Sequence, residues 1–67
     1  MTDLRHARYH AELEAIQGAI RLVASGHSAE RWLAVGPVGA RVWVRKHPAL
    51  FMDLVRTERK EAERESA

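Results

Sequence analysis

Apolar side chains at Tyr9, Leu13, Ile16, Ile20 and Val23 recur at alternating spacings of four and three residues, the mark of one helical face. The spacing predicts a helix over about 4–25. Thr2 or Asp3 can cap its start, and Gly26 stands where a left-handed C-terminal cap falls. Glu12, Glu14, Gln17 and Arg21 lie largely off the apolar stripe. Gly18 inside this helix costs about 1 kcal/mol relative to alanine, which marks either the close approach of another helix or simple tolerance.

Further on, Ser28 is a good N-cap for a short helix over about 29–35, with Glu30 favoured in its first turn and Trp32 directed to the core. Pro48 biases His47 away from helical geometry and itself suits the first position of a new helix. Leu50, Phe51, Leu54 and Val55 make the apolar stripe of that last helix. Beyond it the chain is almost wholly charged, with Arg59 and Glu63 spaced as an i,i+4 pair. We expect residues 1–67 to form a single domain, with 56–67 a charged helical tail that frays or projects into water.

The middle of the chain supports two patterns. As a hairpin, 32–35 and 40–45 are strands rich in valine and tryptophan, joined by a turn at Pro37-Val38-Gly39, with Trp32, Ala34, Val42 and Val44 on one face. As a helix, Ala40, Trp43, Val44 and His47 share a core face while Val38, Arg41, Val42 and Arg45 share the opposite one. Local propensity alone leans to the hairpin.

Charge changes the picture. The 67 residues carry a formal net charge of +2, yet residues 31–48 hold four basic side chains (Arg31, Arg41, Arg45, Lys46) and no carboxylate, so this segment alone is +4 and the remainder −2. Localised positive charge beside a tryptophan suits a phosphate backbone. A chain this short buries only about 60% of its unfolded surface, so dimerisation would help it. It has no cysteine, which removes disulfides and thiolate zinc sites from consideration and is compatible with a cytoplasmic location. The longest apolar stretch, 33–40, is interrupted by Pro37 and far shorter than a membrane span, and residues 1–10 carry no secretory h-region.

Two short motifs carry a resemblance. Ala19-Ile20-Arg21-Leu22-Val23-Ala24-Ser25-Gly26-His27-Ser28 resembles the end of a first helix with its G-x-S entry to the second, and Trp43-Val44-Arg45-Lys46-His47-Pro48 resembles the close of a recognition helix. Both are similar to the homeodomain-like helix-turn-helix domains found in transposases, recombinases and the N-terminal part of phage terminase small subunits. The likeness covers about 19–55. The stretch from Ser28 to His47 is shorter than in that group, and glycine replaces the polar cap before the recognition helix. The resemblance implies a mainly α fold with a small helix-turn-helix, a long N-terminal helix and a charged C-terminal helix; the alternative is α+β, with helices flanking a hairpin at about 32–45.

On the helical reading, Arg41 and Arg45 point together at a major groove, where arginine binds guanine O6 and N7, and Val42 and Val38 meet thymine methyl groups. Lys46, Arg31 and the Ser28 hydroxyl contact phosphates. Val38 and Val42 also form a candidate dimer patch. His6, His10 and Glu14 align along one side of a helix, but without the H-E-x-x-H arrangement or a fourth ligand, so no metal and no cofactor is expected. Gly36-Pro37-Val38-Gly39 lacks the Lys-Ser/Thr continuation of a phosphate loop, and no nucleophile–base pair is evident, so no enzyme is expected. The expected function is a small phage-like or bacterial DNA-binding protein, a regulator or recruitment module acting on duplex DNA as a dimer. The alternative is a non-enzymatic protein-interaction module, such as a small inhibitor or adaptor.

Overall fold

Glycine at 26 and prolines at 37 and 48 divide the chain where their backbone chemistry requires. In a computed structural model the described residues of the protein form four helices, α1 (Leu4–Ala24), α2 (Glu30–Val35), α3 (Val38–Lys46) and α4 (Pro48–Ser66). The structure describes residues 4–66, with side chains over 10–65. The expected caps at Thr2 and Asp3, and the side chains of His6 and Tyr9, lie outside that set. Among the described residues there is no strand. The hairpin alternative is therefore not adopted: 32–35 lies in α2 and 40–45 in α3, because a helix lets Ala40, Trp43 and Val44 pack on α1, and such burial outweighs β propensity.

α1 ends as its glycine predicts. Gly26 has φ of 86°, the His27 N–H donates to the Leu22 carbonyl at 2.9 Å and the Gly26 N–H to that of Val23 at 3.0 Å, which together make a Schellman motif. α2 begins one residue later than expected. Ala29 flanks it, and the Ser28 hydroxyl accepts from the Glu30 N–H at 3.3 Å, so Ser28 still satisfies an otherwise orphaned donor. Pro37, with φ of −58°, precedes α3, and the Phe51 N–H donates to the His47 carbonyl at 3.0 Å as α4 begins.

α1 contacts each of the other three helices. The core is Ala15, Ile16, Ala19, Ile20, Ala29, Ala40, Phe51 and Val55, with Leu22, Val23, Leu33, Trp43 and Val44 packed against it. The apolar stripe of α1 is thus rotated toward its alanines, and Leu13, at 36% exposure, falls on the rim. Leu54 is also a rim residue, at 37%, while Val55 is the most buried large side chain of α4, at 1%. α4 remains helical to Ser66, and its charged half lies mostly in solvent. Arg59 does not ion-pair with Glu63 among the described residues. Instead its guanidinium donates to the Val23 and Ala24 carbonyls, each at 3.4 Å, placing a cation at the negative end of α1.

Trp32 corrects the expectation of a core residue. It stands on the six-residue α2 and is 44% exposed. The ring lies instead on Gly18, and its Nε1–H donates to the Ala15 carbonyl at 2.7 Å. A Cβ at position 18 would fall 2.5 Å from the Trp32 ring, so Gly18 does mark a close approach, that of an indole.

This contact predicts a sign reversal. Gly18→Ala alone should destabilise the protein by about 1–3 kcal/mol through overpacking. In a Trp32→Ala background the same change should stabilise it by about 0.5–1 kcal/mol through helix propensity. Denaturant unfolding of the four chains checks both, and equal effects in the two backgrounds would show that Trp32 does not rest on Gly18.

Candidate nucleic-acid interface

α3 carries three basic residues, Arg41, Arg45 and Lys46, and no acidic one. Its orientation follows from what it buries. Ala40 is fully buried against the core, with Trp43 and Val44 half-buried beside it, so that the opposite face must point outward. That face carries Val38, Arg41, Val42 and Arg45, which line a shallow depression of about 230 Å³. Arg41 and Arg45, four residues apart, have Cβ atoms about 6 Å apart by helix geometry. All four side chains are exposed, Val38 to 63%.

The helical face division is therefore the one the spacing predicts, with one exception. His47 is exposed rather than buried; its ring lies 5.3 Å from that of Trp43, centroid to centroid and tilted by 45°. Lys46 is exposed at the end of α3, Arg31 is exposed on α2, and Ser28 is exposed at the entry to α2. The structure brings Val38, Arg41, Val42 and Arg45 together. Ser28 and Arg31 belong to α2 and its entry, and no contact joins them to the depression.

Val38 belongs to the depression as much as Val42 does, as the i,i+4 spacing predicts. One participant escaped the sequence reading, Glu12. Its half-buried carboxylate packs directly against Gly39, in the first turn of α3, where a Cβ would collide with it. A carboxylate beside a helix N-terminus is electrostatically favourable, and glycine at 39 makes room for it. Its position off the α1 stripe concealed this role, since nothing in α1 itself signals a distant helix end.

The Trp32 N–H is engaged by the Ala15 carbonyl and is not free to donate to a base. Among the described residues no group of three or more His, Asp or Glu side chains is placed to hold a metal ion, and the His6 side chain of the weighed His6–His10–Glu14 set lies outside them. No helix is long and apolar enough to cross a membrane among the described residues. Compared with known proteins, the chain matches no family model, no curated protein and no solved structure.

The face assignment predicts a division in stability. Alanine at Arg41, Val42 or Arg45 should change unfolding free energy by no more than about 0.5 kcal/mol, as for surface positions without special contacts. Ala40→Leu should cost about 1–3 kcal/mol by overpacking. Comparable losses at Arg45 and Ala40 in urea titrations would contradict the assignment.

Proposed function

We propose that the protein is a small DNA-binding protein, a phage-like or bacterial regulator or recruitment module, in which α2 and α3 act as a helix-turn-helix. The observation that carries this reading is the exposed face of α3, where Arg41 and Arg45 stand between Val38 and Val42 on a helix whose other face is anchored in the core. A helix so presented can enter a major groove. Arg41 and Arg45 then bind guanine O6 and N7, and Val42 and Val38 pack on thymine methyl groups. Lys46, Arg31 and Ser28 hold phosphates and set register. The protein does no covalent chemistry in this reading, needs no cofactor, works in the cytoplasm, and acts as a homodimer that reads paired half-sites.

A second reading, a non-enzymatic protein-interaction module such as an inhibitor or adaptor, is favoured by one observation. An apolar groove of about 350 Å³ opens between α1, α3 and α4, lined by Leu13, Ile16, Ile20, Trp43 and Leu54 among others. Salt-dependent retention on heparin, followed by competition with duplex DNA, separates the two readings.

With Lys46 and Arg31 each neutralising one phosphate per chain, the logarithm of the binding constant should fall against that of salt with a slope near −1.8, roughly tenfold between about 50 and 200 mM. Arg45→Ala should cost about 1–3 kcal/mol on a cognate duplex and relax preference at one position, whereas Lys46→Ala should weaken all sequences alike. Fluorescence anisotropy on labelled duplexes measures both. Absence of binding to any duplex at low salt would leave the interaction module as the better reading.

A further inference from the structure

Beside α2, Glu14, Gln17 and Arg21 form a solvent-facing ridge along α1. Together with Trp32 and Val35 they line a depression of about 460 Å³. The apolar part is unusually open for so small a protein: Val35 is 85% exposed and the outer side of the Trp32 indole is uncovered. The charged part consists of one carboxylate and one guanidinium. Glu14 and Arg21 are seven residues apart, so they lie on the same side of α1 about 10 Å from one another along the axis, too far to pair within the chain. Neither forms an ion pair among the described residues.

This pattern is self-complementary under one operation. A twofold axis perpendicular to α1, passing outside its exposed ridge at the level between Gln17 and Gly18, lays two copies of the helix antiparallel. It carries Glu14 of each chain opposite Arg21 of the other, because the two positions are equidistant from the axis. The same axis passes at the level of Trp32, which sits on Gly18 and Ala15, so the two indoles and the neighbouring Val35 side chains meet beside it. A parallel arrangement would instead set Glu14 against Glu14. Isologous contacts of this kind are the commonest route to a dimer, and aromatic residues are enriched in them.

We propose that the α1–α2 surface centred on Gln17 and Trp32 is the homodimer interface, with reciprocal Glu14–Arg21 pairs, occupied by a second copy of this chain. The interface leaves Val38 and Val42, which the sequence also offered as a dimer patch, free for DNA. The inference rests only on the dimeric part of the function proposed above. It stands or falls without reference to DNA contact.

The test is sedimentation velocity of the full chain, without DNA, at low salt and over a range from low to high micromolar concentration. The wild-type chain should show concentration-dependent dimerisation. Glu14→Arg and Arg21→Glu, both at exposed positions, should each weaken it roughly tenfold or more, since each replaces two attractions by two repulsions. An equimolar mixture of the two variants should associate as heterodimers with nearly wild-type affinity, and the doubly exchanged chain should do so with itself. Thermal melting by circular dichroism confirms that the variants are folded. A wild-type chain that stays monomeric, single variants that associate as wild type does, or a mixture that fails to recover would each overturn the proposal. Duplex binding by the two single variants, measured separately, distinguishes loss of the dimer from loss of the DNA reading.

Discussion

The seating of the Trp32 indole on Gly18 is the contact on which the arrangement of the basic segment depends. α2 has only six residues, far below the length at which an isolated helix persists in water, so tertiary contacts must hold it. Trp32 supplies them through its ring on Gly18 and its N–H on the Ala15 carbonyl, with Leu33 packed on the core from the next position. Once α2 is held there, Gly36 and Pro37 leave two residues in which to turn the chain into α3. The roll of α3 is then set by Ala40, whose side chain has no room to rotate outward, and by the Glu12 carboxylate against Gly39. The outward direction of Arg41 and Arg45 is the end of this sequence of constraints.

Small residues make the scheme possible in a chain with little material for a core. Ala15, Gly18 and Ala19 give α1 a low-relief side against which other elements can approach, and Ala29 and Ala40 complete it. Fewer large side chains are then needed inside. The same economy leaves apolar area outside, at Trp32, Val35, Val38 and Val42. The proposed functions divide that surface in two, with the α2 side of α1 given to a second copy and the outer face of α3 given to nucleic acid.

Much of the fold was legible because it is written in backbone chemistry. Gly26 adopts the left-handed conformation that its place after the Ile20–Val23 repeat implied, and Pro48 opens α4 as its missing N–H allows. Residues 32–45 were not legible from propensity, since valine and tryptophan favour strands and only burial on α1 decides for helices. Trp32 was misjudged as core, and Leu54 of the α4 stripe falls on the rim, because periodicity gives a direction but not the depth of the neighbour on that side. The four-residue face of α3 was readable from spacing once a helix was assumed. The Glu12 contact was not, because it joins a side chain and a helix end that are distant in the chain and share no local pattern.

The central claim, that the outer face of α3 is the surface through which the protein acts, is tested most directly by titrating isotopically labelled protein with a mixed-sequence duplex at low salt and following backbone amide resonances. The account predicts the largest changes at Val38, Arg41, Val42, Arg45 and Lys46, smaller ones at Ser28 and Arg31, and none at Leu13 or Leu54. Unchanged spectra, or changes concentrated along the charged half of α4, would contradict it.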